Sequence, residues 1–158
     1  MAKTNPELLR SLVLADPALN DLIPQAESTV GVRATLRSRF EAGDMEGGLE
    51  AYTDAIGGEG SWKTSPEPFR RMLRDNAWTA TERSSQPPFS CPAGPYMRVP
   101  TLLLNGASSP ERYIKMSQAF VPCLSRYETA IIPNAAHLMF LGNPAAFRET
   151  VMAYLDKY

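Results

Sequence analysis

Histidine is almost missing from this chain: His137 is the only one in 158 residues. There are two cysteines, Cys91 and Cys123, and no CxxC pair. Without clustered nitrogen and sulfur ligands the usual zinc sites are excluded, and no metal or other cofactor is expected. Two isolated cysteines also form no disulfide framework. They read as small core hydrophobes in a chain kept in a reducing, cytoplasmic setting. Each lies beside a proline, Pro92 or Pro122, with no cationic neighbour in sequence to activate it as a nucleophile. An excess of one charge is missing too. A formal net charge of −1 gives no reason to expect nucleic acid or an anionic membrane surface as partner. No apolar run approaches the roughly 20 residues of a membrane helix. The opening "MAKTNPELLRSLVLADPALN" does not read as a secretory signal, because Asn-Pro-Glu follows its basic residue where an apolar core belongs.

What is present suffices for one domain with a real core, at 44% hydrophobic and 21% charged residues. Ser11 to Ala15 ("SLVLA"), Pro100 to Leu104 ("PTLLL") and Tyr127 to Ile132 ("YETAII") read as buried parallel strands. The first two are short apolar runs bounded by turn residues, a pattern that fits strands covered on both faces. Between the second and third, Ser109 is placed to cap a helix, Pro110 to occupy its first turn, and Tyr113, Met116 and Phe120 recur at helical spacing. After the third, Asn143 caps and Pro144 opens a terminal helix whose stripe is Phe147, Val151, Tyr154 and Leu155. Residues 19–97 hold no strand run. Val32, Leu36 and Phe40 predict one helix there, Asp44 caps a second with Leu49, Tyr52 and Ile56, and Ser65-Pro66 opens a third with Phe69, Met72 and Leu73. "SSQPPFSCPAGP" (84–95) is a proline-rich return to the sheet. "PELLRS" reads as the end of a helix. The fold class is therefore α/β. The core comprises residues 1–18 and 98–158, and a helical excursion occupies 19–97.

His137 falls just past the carboxyl end of the third strand, on the rim where open α/β sheets bind ligands. It can act as a base near neutral pH, although position alone favours a loop histidine bonded to backbone. Asp16 follows the first strand and would share that rim. A carboxylate there can hold the imidazole's Nδ1–H, while Asp-Pro is also a common turn former. After the middle strand the place for an orienting acid holds Ser108 and Ser109, which cannot carry a balancing charge. Glu111 is explained by the helix dipole. Asn76, Trp62 and Leu138 are the candidate substrate contacts, although Trp62 also suits packing and Asn76 a helix surface. Arg70, Arg71 and Arg74 read as a solvated face. No G-x-S-x-G elbow occurs. "GEGSW" (58–62) and "GASSP" (106–110) come nearest, and neither has the spacing or the strand–turn–helix setting.

In order, these pieces resemble the C-terminal half of an α/β-hydrolase. "PELLRSLVLADPAL" is similar to the helix end and strand six, residues 19–97 to the helical cap, and "RVPTLLLNGASSPE" to strand seven. "YETAIIPNAAHLMFLGNPAAFRETVMAYL" is similar to strand eight, the histidine loop and the last helix. The resemblance implies a partial α/β-hydrolase fold, a short parallel sheet with flanking helices and an inserted cap. It implies His137 as catalytic base. It gives no acid at the strand-seven position, but some members, such as the haloalkane dehalogenases, place the acid after strand six, where Asp16 stands. The nucleophile and oxyanion donors of the family belong to a half that this chain does not resemble. The chain is thus expected to carry the acid and histidine of an ester- or amide-cleaving serine hydrolase and to be inactive alone. Its ligand would be a small apolar or ester-like molecule. The strand at Ser11 to Ala15 would pair with the missing N-terminal half or with a second copy. The alternative is a non-catalytic ligand-binding or protein-interaction module derived from the same fold.

Overall fold

The computed structural model describes residues 2, 5–81, 89–91 and 97–158. Strands β1 (Leu12–Ala15), β2 (Thr101–Gly106) and β3 (Tyr127–Ile132) form a parallel sheet in that order. Leu14 pairs with Leu103, and Leu104 with Ala130. Each strand falls where the apolar runs predict, and β2 extends further, through Asn105 and Gly106.

Alternation along the strands divides the core. Leu102, Leu104 and Ile132 pack with Val13 on one face, against Met139, Phe147, Val151 and Tyr154. Leu103 packs with Leu12 and Leu14 on the other, against Phe120, Cys123 and Leu124. Helix α5 (Glu111–Phe120) contributes to the second cluster and α7 (Pro144–Leu155) to the first. The central strand is buried almost throughout, so each of its leucines contributes roughly 1.5–3 kcal/mol. By contrast β1 is only half-buried and Ala15 is exposed. It lacks the cover on both faces that its apolar run suggests, and β3, expected to be buried, is exposed at Tyr127, Glu128, Thr129 and Ile131 because it forms the other edge of the sheet.

Among the described residues, four α-helices lie between β1 and β2: α1 (Val30–Glu41), α2 (Met45–Gly57), α3 (Ser61–Thr64) and α4 (Glu67–Asp75). They have their own core of Leu36, Phe40, Leu49, Trp62 and Ala77. Asp44 caps α2 as its position predicts, its Oδ1 accepting from the Gly47 N–H at 3.0 Å. Gly48 lets α1 approach closely, since a Cβ there would lie 2.8 Å from the Phe40 ring. Asn143 likewise caps α7 through the Ala146 N–H, at 3.2 Å. A short helix, α6 (Met139–Gly142), precedes it.

Two further expectations are corrected. Pro6–Leu8 forms a single 3-10 turn, not the end of an α-helix. Cys91 and Cys123 are joined by a disulfide, with Cα atoms 5.5 Å apart, inside the range for bridged cysteines. They are 32 residues apart in sequence, and only the packing of both against the α5 face of the sheet brings them together. The bridge removes the ground on which two separate thiols pointed to a reducing compartment. The proline-rich return at 84–95 lies mostly outside the described residues. Among the described residues, no helix is long and apolar enough to cross a membrane.

Candidate active site

Asp16 ends the β1 ladder by donating its N–H to the Leu104 carbonyl at 2.8 Å. The chain then turns through a left-handed conformation at Asp16, φ 41°. The following Pro17 disfavours the right-handed helical region, and aspartate tolerates the left-handed one better than most residues. The turn drives the carboxylate inward, where its side chain is 0% exposed.

A buried carboxylate needs donors, and three converge on this one. Asn105 Nδ2 donates to Oδ1 at 2.7 Å. The Ser109 hydroxyl donates to Oδ2 at 2.5 Å. His137 Nδ1 faces the same Oδ2 at 3.3 Å. The donors are themselves held. Asn105 Nδ2 also donates to the Ser117 hydroxyl at 3.1 Å, and Ser109 Oγ accepts the Gly106 N–H at 3.1 Å.

His137 reaches this point because its loop lies against the end of β2. The Ser108 N–H donates to the Ala135 carbonyl and the Ala107 N–H to that of Ile132, both at 2.9 Å. Only glycine fits at 106, where a Cβ would stand 2.4 Å from the Ala135 oxygen and 2.6 Å from that of Ala136. Asn134 turns the loop at φ 53°. The imidazole stacks on Tyr113 with ring centroids 4.2 Å apart and planes inclined by 10°. Burial pushes the Tyr113 hydroxyl up to about 12, so the ring is a neutral support at ordinary pH.

A carboxylate oxygen can only accept, so the Asp16 contact places a hydrogen on Nδ1 and leaves the lone pair on Nε2. The His137 side chain is 22% exposed, and among the described residues no hydrogen bond to Nε2 is formed. Such an imidazole can take a proton from a hydroxyl or thiol with a buried counter-charge behind it.

Of the residues singled out in the sequence, the structure brings Asp16 and His137 together. Leu138 adjoins them, half-buried, its carbonyl accepting the Leu141 and Gly142 N–H groups at the start of α6. Asn76 lies elsewhere, exposed at the end of α4 with Nδ2 donating to the Met72 carbonyl at 2.8 Å. Trp62 is buried in the helical cluster beneath Arg74 and Arg70, 5.4 and 5.9 Å from its ring centre. Arg74 also bridges Glu46 and Glu67. Ser109 caps nothing: α5 starts at Glu111 after Pro110, and the serine hydroxyl turns to Asp16. Glu111 is exposed and faces Lys115 at 3.6 Å. Asn105, Ser109 and Ser117 are the polar residues that sequence reasoning missed as a group. Asn105 and Ser109 meet Asp16, which is distant along the chain, and Ser117 joins through Asn105; local spacing carries no signal for this.

No protein-family model matches the sequence, and no curated protein matches it. Solved structures are similar in fold. VinJ superposes with a TM-score of 0.62 at 20% identity over 99% of this chain. MenH from S. aureus gives 0.65 at 15% over 94%. A thermophilic esterase from Thermogutta terrifontis, with malate bound, gives 0.62 at 20% over 99%. The fold is that of part of an α/β-hydrolase. The chain spans 60% of VinJ and 59% of the other two structures, so this α/β-hydrolase fold is a partial one. In it, Asp16, His137 and the ends of all three strands share one rim of the sheet.

Proposed function

We propose that the chain is the acid–histidine portion of an α/β-fold hydrolase that cleaves an ester, amide or related bond through an acyl-enzyme. The observation that carries this reading is the His137–Asp16 contact, 3.3 Å long, on the carboxyl rim of a parallel sheet. Asp16 orients the imidazole and balances its charge. His137 Nε2 takes the proton of a nucleophile and returns it to the leaving group. The nucleophile and the oxyanion donors come from outside these residues, and the chain alone does not turn over esters. The absence of any G-x-S-x-G elbow supports this, as does the lack, among the described residues, of a hydroxyl or thiol bonded to His137. The substrate is a small apolar or ester-like molecule lying against Leu138.

The nucleophile-bearing part joins along β1. Leu12 and Asp16 donate their N–H groups to Pro100 and Leu104 of the β2 side. Strand alternation therefore turns the N–H groups of Val13 and Ala15 to the open edge, where a further strand can add. A non-catalytic binding module is the second reading. One observation favours it: an open cleft of about 970 Å³, bordered by Val30 and Ala34 of α1, Ala51 and Ala55 of α2 and Arg112 of α5.

Labelling with a serine-reactive fluorophosphonate separates the two. The chain alone should remain unlabelled. With a nucleophile-bearing partner present, labelling of that partner should depend on both His137 and Asp16. Stoichiometric labelling of a serine within these 158 residues would contradict the assignment of the nucleophile. Unreactive esters binding the cleft with no effect of His137→Ala would favour the module.

A further inference from the structure

We propose that Ser109 is a positioning residue that sets the orientation of Asp16 toward His137; the proposal rests on the Asp16–His137 reading above. An aspartate after β1 must reach over β2 to meet a histidine after β3, roughly 10 Å away by the spacing of neighbouring strands. The residues that hold it midway come from the β2 end of the sheet. Asn105 takes Oδ1 and Ser109 takes Oδ2. The oxygen that faces His137 is the one Ser109 holds, and the serine bond is the shorter, 2.5 Å against 3.3 Å.

The serine is fixed independently of the imidazole. Its oxygen accepts the Gly106 N–H, and it is buried between the end of β2 and the start of α5. This leaves its hydroxyl hydrogen for the carboxylate. The direction of Oδ2 is thus decided before His137 contributes, and the imidazole adopts the tautomer that this oxygen requires. A serine after the middle strand cannot carry an acid's charge, but it can hold the acid supplied by the neighbouring strand.

The test exploits the single histidine. With 15N-labelled histidine, the neutral imidazole gives one pair of ring-nitrogen signals whose shifts report the ratio of the Nδ1–H and Nε2–H tautomers. In the wild-type chain Nδ1–H should dominate. In Ser109→Ala the ratio should fall by roughly threefold or more, because the carboxylate loses a strong donor and turns, while circular dichroism shows the fold intact. Should that variant not fold, Ser109→Cys fills the same space with a weak donor and is read in the same way. An unchanged ratio in the folded variant overturns the proposal. Asp16→Asn separates the two layers. If it moves the ratio and the serine variants do not, Ser109 has no positioning role and the pair still stands. If Asp16→Asn leaves the ratio unchanged, the pair itself fails, and the proposal with it.

Discussion

The ring of Tyr113 lies flat on the imidazole of His137, with centroids 4.2 Å apart. Tyr113 is 2% exposed and sits in α5, so the plate beneath the histidine belongs to the packed core. Asp16 approaches the imidazole through its Nδ1 edge. Face and edge are therefore both fixed, and the fixing elements, β1 and α5, precede and follow the excursion formed by α1 to α4 in the chain.

Replacing Tyr113 by alanine should lower stability by about 3–5 kcal/mol in urea denaturation, the usual cost of a buried aromatic. Tyr113→Phe should keep the stack. The phenol also predicts an alkaline effect. In the folded chain burial pushes it up from its ordinary value near 10 to about 12. Its contribution is complete below pH 10 and is lost as pH rises toward 12, because the unfolded chain ionises first. Tyr113→Phe should flatten that part of the pH profile.

Gly106→Ala should disturb the site from below. The added methyl meets two backbone oxygens of the histidine loop at 2.4 and 2.6 Å, and backbone cannot step aside as a flexible side chain can. A loss of about 1–3 kcal/mol and a displaced His137 resonance are expected. A variant as stable as the wild type, with an unmoved imidazole, would show that the loop is not seated on β2.

The disulfide between Cys91 and Cys123 should leave no thiol free to alkylation in the unfolded, unreduced chain. The loop it closes has a sequence separation of 32, for which chain entropy suggests a stabilisation of about 3–4 kcal/mol. Reduction, or Cys91→Ser with Cys123→Ser, should lower the denaturation midpoint by a matching amount.

The open edge of β1 should make the chain associate as concentration rises, unless a partner strand covers it. Ala15→Pro removes an outward N–H from an exposed residue without breaking a bond to β2. Size-exclusion chromatography should show a smaller, less concentration-dependent species for this variant. Wild-type protein that stays monomeric at every concentration would count against the edge as a docking line.

Much of this was legible in the chain. The apolar runs at Leu12, Leu102 and Ile131, the caps Asp44 and Asn143, and the rim positions of Asp16 and His137 all follow from local rules, because a strand or cap is written in adjacent residues. What stayed hidden depends on distance. Ser109 looked like a helix cap because its neighbours are Pro110 and Glu111, yet its partner is Asp16. Cys91 and Cys123 looked solitary for the same reason. Trp62 and Asn76 were singled out by residue type alone, and the structure gives them packing and helix-end contacts within the helical excursion.

The pairing of Asp16 with His137 is tested most directly by 15N spectroscopy of the one imidazole in the chain. Wild-type protein should show the neutral ring held predominantly as the Nδ1–H tautomer, with that preference abolished in Asp16→Asn. Asparagine tolerates the left-handed turn at this position, so the variant isolates the carboxylate. A wild-type imidazole dominated by Nε2–H, or one whose tautomer ratio is the same in Asp16→Asn, would contradict the account.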